Sequence, residues 1–338
     1  MKRIMAASLG ILLFSSLAFT GEVTKVGTTA AGFLSIHVGS RAVSMGGAYV
    51  AVAEDATAMY WNPSGIARME HFQFLSHHTQ WFADIGLNYF GLVVPLEGIG
   101  SFGLNVTSLT MDDMEKTTVN NPEGTGEHYS AGSYAVGLCF ARNLTDRFSI
   151  GFNAKYLNER IYNCSASGVA FDVGTLFTTQ FSGLKIGMSI SNYGPKMRMA
   201  GQDLLTQVDI DPLVSGNNEN MNADLKTDGF DLPLLFRIGL AMDVLKGLYK
   251  SNLTLAIDAL HPNNDEESVN VGAEYVFNKL FFIRGGYNSL FAKDSESGLT
   301  LGCGVRYNLP NTDLLVDYAY QDFGVLNNVQ MLTVGIGF

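Results

Sequence analysis

The chain predicts an all-β fold, a 14-stranded antiparallel transmembrane β-barrel with a small N-terminal helical or irregular plug. Three observations predict it. From about Phe72 to the C-terminus, apolar residues alternate with polar or tiny ones in segments of about ten, the length of a tilted membrane strand. The connections between these segments alternate between tight turns and longer loops. Charged residues are only 16% of the chain while hydrophobic ones reach 47% and glycines number 37. Soluble domains usually carry ~25% charge and ~7% glycine. Sparse charge, many glycines, 22 Phe and 14 Tyr describe strands that face something other than water.

Residues 1–20 read as a secretory signal peptide. Lys2 and Arg3 precede an uncharged run from Ile4 to Phe19, and Ser16-Leu17-Ala18 offers small residues for cleavage. The run is shorter than the ~20 residues that a spanning helix needs. Export places the protein in the bacterial outer membrane. Losing Lys2 and Arg3 takes the net charge from −11 to about −13. No other stretch is apolar enough to cross as a helix, so a membrane form must be a closed barrel, which satisfies every backbone group in lipid.

Residues 21–70 behave differently from the rest. They are rich in small residues, with Gly46-Gly47 interrupting any helix and Asn62-Pro63-Ser64-Gly65 signalling a turn. Such a segment ahead of a barrel folds most economically inside it, as a plug or hatch.

Residues 71–338 form the barrel. Strands are predicted to start near Phe72, Ile85, Ile99, Ser133, Arg147, Ser167, Leu184, Leu232, Asn252, Ser268, Leu280, Gly298, Asp313 and Asn328. Even-numbered connections such as Glu97-Gly98 and Asn278-Lys279 are tight. Odd-numbered ones include Met111 to Gly132 and Tyr193 to Asp231. Outer-membrane barrels alternate in this way, with short periplasmic turns and longer outward loops. In period two, charged residues fall on the face opposite the large apolar ones: Arg237, Asp258, Glu274, Arg284, Arg306 and Asp317, with Lys155 and Asp243. A soluble barrel would put charge outside; a membrane barrel holds it in the lumen. There these groups either meet the plug and one another or, at the arginines, bind an anionic head group. The last strand ends on Phe338, like the C-terminal signature of bacterial outer-membrane proteins.

The stretch GSRAVSMGGAYVAVAEDATAMYWNPSGIA, residues 39–67, resembles the N-terminal signature of the PorV/PorQ family, which is related to the FadL-type fatty-acid channels. The residues that carry the resemblance are Gly39, Arg41, Met45, Gly46, Gly47, Asp55, Asn62, Pro63 and Gly65. The resemblance implies a FadL-like 14-stranded barrel with an N-terminal plug. It also implies a role beside the type IX secretion translocon or the surface-attachment complex.

Local motifs for chemistry are missing. The sequence has no His-Glu-x-x-His, Cys-x-x-Cys, P-loop or Gly-x-Ser-x-Gly, so no metal, cofactor or catalytic residue is assigned. A catalytic barrel would need a Ser–His pair assembled from neighbouring strands. His77 and His78 point to opposite faces of one strand. Cys139, Cys164 and Cys303 are too few and too scattered for a disulfide framework. An acidic chain excludes a nucleic-acid partner. Long loops commonly carry binding, and the loop from 193 to 231 contains Leu204, Leu205, Ile210, Leu213 and Val214 amid many Asp and Asn. These are the candidates for contact with secretion or surface-attachment proteins, the outer-membrane lipid being the other partner. The alternative function is FadL-like passive transport of a hydrophobic small molecule. It requires a greasy pocket beside the plug and a lateral opening, for which Gly285-Gly286 or Gly302 and Gly304 are the candidates.

Overall fold

The computed structural model describes residues 27–338 apart from 212, 214, 215, 217–219, 249, 250, 293–295, 297 and 311. The signal-peptide reading, the first residues of the plug and Val214 lie outside the described residues. Fourteen antiparallel strands form the wall. They are β1 Gln73–Gln80, β2 Gly86–Leu96, β3 Gly100–Thr110, β4 Ala131–Thr145, β5 Phe148–Ile161, β6 Cys164–Thr178 and β7 Lys185–Tyr193. The second half comprises β8 Leu235–Leu248, β9 Ser251–Pro262, β10 Ser268–Phe277, β11 Phe281–Leu290, β12 Leu299–Leu309, β13 Thr312–Asp322 and β14 Asn328–Gly337. Each pairs with its neighbour in sequence, and β1 closes on β14 from Gln73 opposite Gly337 to Gln80 opposite Gln330. No strand start differs from the sequence reading by more than three residues.

The side chains alternate as a membrane wall requires. On β4, Tyr134, Val136 and Leu138 are exposed while Ala135 and Cys139 are buried. On β6, Val169, Phe171 and Val173 face out while Ala170 and Asp172 face in. Ile283 is 64% exposed while the charged Asp258 and Asp317 are 0% and 1% exposed. That inversion is stable only when the outer face meets lipid. No described helix is long and apolar enough to cross a membrane. Aromatic pairs mark both rims. Phe72 packs on Phe338 at the closure seam, and Trp81, Phe82 and Phe323 cluster at the opposite end.

One end of the barrel carries short turns, as between β2 and β3 or β10 and β11. The other carries the long loops. The loop between β3 and β4 folds back as a small hairpin, Met114-Glu115 on His128-Tyr129. There Glu127 accepts a hydrogen bond from Lys116 at 2.9 Å and holds its ammonium pKa above the ordinary value. The loop between β7 and β8 has a stem, Met197-Arg198 on Gly229-Phe230, and a distal hairpin, Leu205–Val208 on Met221–Asp224.

Inside the wall, residues 31–66 fill the lumen. Two short helices, α1 Ser40–Ser44 and α2 Ala58–Trp61, and 3-10 turns at Gly32–Ser35 and Pro63–Arg68 leave nearly every side chain buried. Small residues let several short turns pack where one long helix would not fit.

Candidate functional site

The residues marked by the sequence signature and the charges assigned to the lumen meet at one seat. Arg41 in α1 makes a two-pronged bond to Glu274 of β10, Nε to Oε2 at 2.9 Å and Nη2 to Oε1 at 2.8 Å. Its remaining nitrogen lies 3.6 Å from Asp55 of the plug. Glu274 also accepts from Arg284 Nε at 2.6 Å, and Arg284 Nη1 donates to Asp317 at 2.6 Å. Asp55 further accepts from the Tyr49 hydroxyl at 2.6 Å and from both the backbone and the hydroxyl of Thr57. The chain of contacts Asp55–Arg41–Glu274–Arg284–Asp317 therefore alternates in sign from plug to wall. Burial disfavours the Arg41 charge, and the carboxylates of Glu274 and Asp55 are the anions that offset it. Pairing of this kind is what keeps buried charges from being prohibitive.

A second attachment uses Asp258 of β9. One carboxylate oxygen accepts the backbone N–H groups of Tyr49 and Val50, both at 2.8 Å. Arg237 of β8 stacks over the rings of Trp61 and Tyr60, at 5.0 and 5.6 Å from their centroids. Asn62 caps the Pro63 turn, accepting from Ser64 N–H, and its amide donates to the carbonyls of Val50 and of Thr175 on β6. Arg306 stands apart: it lies over the Phe282 ring at 5.5 Å and, among the described residues, forms no ion pair with the lumen carboxylates. Of the two readings offered for the lumen arginines, pairing with a carboxylate or the plug is not met at this residue.

The glycines explain how closely the two parts fit. A methyl group on Gly286 of β11 would lie 2.3 Å from the Gly46 nitrogen, and one on Gly302 of β12 would lie 2.4 Å from Ser44 Cβ. On Gly272 it would meet the Met45 carbonyl at 2.2 Å, and on Gly151 the Pro63 carbonyl carbon at 2.4 Å. Gly46 itself has φ +66°, in the left-handed region, and presses against the backbone of β11. The inward positions are left without side chains so that the plug backbone reaches the wall. The sequence reading had offered Gly285-Gly286 or Gly302 and Gly304 as a lateral opening. Instead, β11 and β12 pair without a break from Phe281 opposite Val305 to Tyr287 opposite Leu299. Gly286 and Gly302 accommodate the plug and leave that ladder intact.

Several parts of the seat carried no sequence signal. Ser40 meets Thr333 of β14, its N–H donating at 2.9 Å, and Thr333 also contacts His77 of β1 at 2.8 Å. This joins the plug to the closure seam. Arg68 ties the trailing end of the plug to Thr178 at 2.7 Å and to the Arg147 carbonyl at 3.2 Å. Lys185 pairs with Glu54. His77 is bonded to the hydroxyls of Thr333 and Thr79, and His78, on the other face, to Asn88. Cys139 and Cys164 are buried free thiols, and Cys303 is exposed on the lipid face. Of the loop residues, Leu205, Ile210 and Leu213 are exposed, the last at 95%, while Leu204 is half-buried.

The family model of the type IX secretion system protein PorV matches residues 19–212, more than half of the chain. The chain belongs to that family. The match takes in the plug and the first seven strands. A search of curated proteins found none that matches. Among solved structures, the barrel is similar to a FadL homologue from Pseudomonas aeruginosa at 11% identity and a TM-score of 0.53, covering 90% of this chain and 98% of that one. It is similar to the toluene transporter TbuX of Ralstonia pickettii at 13% identity, TM-score 0.53, covering 88% and 97%. The toluene transporter TodX of Pseudomonas putida gives 11% identity and TM-score 0.53, with 88% and 96% covered. Identities this low establish the FadL-like fold alone. With the outward-facing apolar wall, that fold supports an outer-membrane location.

Proposed function

We propose that this PorV-family barrel is exported by its N-terminal signal peptide to the bacterial outer membrane and works there as a non-enzymatic scaffold for protein secretion or surface attachment. The observation that carries this reading is the plug seat. The lumen is filled by residues 31–66, which are held by ion pairs, backbone hydrogen bonds and glycine contacts around the wall. A barrel filled in this way presents its long-loop end as the working surface. That end bears Leu205, Leu213 and Leu225, exposed among Asp203, Asp209, Asp211 and Asp224. Apolar side chains held out in water among charges form a protein-docking surface rather than a solvated loop.

Deleting the distal hairpin, residues 205–224, is expected to strip exported proteins from the cell surface while the barrel keeps its heat-modifiable mobility. Surface biotinylation followed by mass spectrometry reads this, and an unchanged surface proteome would contradict the scaffold reading.

The second reading is passive transport of hydrophobic molecules. It is favoured by the likeness to the toluene transporters TbuX and TodX. A trough of about 490 Å3 lined by Leu92, Phe102, Leu138, Phe152 and Phe171 also opens on the lipid-facing wall. Transport predicts an apolar ligand retained on purification and a growth defect on hydrophobic substrates when the gene is lost.

A further inference from the structure

The plug runs through the lumen from one mouth to the other. Its trailing end, at Ala67 and Arg68, is bonded to Asn143 and to the Arg147 carbonyl at the short-turn end. Its leading end lies among the long loops. The Ala30 N–H donates to the Asp231 carbonyl at 2.9 Å, just before β8. The Asn264 amide, in the connection between β9 and β10, donates to the Thr29 hydroxyl at 3.2 Å.

Between these contacts, Phe33 and Leu34 are 4% exposed and share one buried apolar cluster with Met197 and Leu232 and with Ala135, Leu157, Ala166 and Ala170 of the wall. Met197 and Leu232 belong to the loop between β7 and β8, one on each side of its stem. The wall makes room for the contact. A methyl group on Gly168 would lie 2.7 Å from Met197 Cγ, and one on Gly194 would lie 2.8 Å from Leu232 Cδ1. The leading segment is fixed from below as well, since the Leu34 carbonyl accepts the Tyr60 hydroxyl at 3.0 Å and Tyr60 lies under Arg237.

We propose that residues 29–34 are a strap that positions the long outward loop, so that this face keeps its shape only while the plug is seated. Phe33 and Leu34 are its positioning residues. The loop stem is narrow and two residues long on each side. On one side the loop is held by Ala200 and Gly201, paired with Ser165 and Cys164 of β6, and by Asn163 on Asp203; the strap supplies the apolar footing beneath its stem. A partner that binds the loop thereby acts on the plug, and a plug that shifts alters the loop. The docking role of this face rests on the scaffold reading; the contact between strap and loop is read without any partner, and its test needs none.

The loop carries trypsin sites at Lys196, Arg198 and Lys226. In the full-length protein folded in outer-membrane vesicles, Phe33→Ala with Leu34→Ala is expected to speed cleavage at these sites at least tenfold, with the heat-modifiable band of the barrel retained. Leu75→Ala, which removes a buried side chain of β1 near the other mouth, is expected to leave cleavage at the wild-type rate. Wild-type cleavage in the strap variant, or equal acceleration in both, overturns the proposal. Should the strap variant fail to insert, Met197→Ala with Leu232→Ala removes the same contact from the loop side and is read in the same way. An independent measurement places the strap. Thr28→Cys in a Cys303→Ala background is expected to react with a membrane-impermeant maleimide on intact cells, and labelling only after the periplasm is opened would overturn it.

Discussion

Arg41 attaches the plug to the wall by bridging a plug carboxylate and a wall carboxylate at once. Arg41→Met leaves Asp55 and Glu274 buried with one partner fewer, and breaking a buried pair in this way costs about 3–5 kcal/mol. Urea titration of the protein folded into vesicles is expected to show that loss. Arg41→Lys is expected to recover only part of it, since an ammonium cannot reproduce the two-pronged geometry toward Glu274. Gly286→Leu is expected to be more disruptive still, because the added side chain would occupy the place of the Gly46 backbone. Limited proteolysis should then cut within residues 40–66, which the wild-type barrel protects. At this scale the sequence was half legible. Period two placed Glu274, Arg284 and Asp317 in the lumen, and the signature singled out Arg41 and Asp55. That the two sets form one network could not be read, because the contacts join residues more than 200 apart and depend on where the plug rests.

At the scale of elements, the strands were the most legible part of the molecule. Alternation and turn signals are local, and the wall's two faces meet such different surroundings that a one-residue slip of register would put Asp258 or Glu274 into lipid. The plug was legible only as a composition. Its short helices have no periodicity of their own, being specified by the surface they fill, so neither Ser40 against the β1–β14 seam nor Arg68 at the trailing end left a trace. The glycine excess was visible, but its meaning was inverted. Gly286 and Gly302, suggested as part of a gap between β11 and β12, are places where the plug presses on the wall, while Gly285 and Gly304 face Leu301 and Asp317. The loop between β7 and β8 was marked by its length and its leucines. Its footing on Phe33 and Leu34 emerges only when the leading end of the plug is traced to the same mouth.

Taken as a whole, the molecule is a barrel closed twice, by strand pairing around its wall and by a plug packed across its lumen. The family match and the fold leave two roles to separate: docking at the outward face and passage of an apolar molecule. Filling of the lumen and the apolar residues held out on acidic loops favour docking. The most direct test is to extract the protein from its own outer membrane in mild detergent and identify everything that comes with it. The account predicts secretion or surface-anchored proteins in near-stoichiometric amount, lost when residues 205–224 are deleted. A barrel that emerges alone, carrying a fatty acid or another apolar ligand, would contradict it.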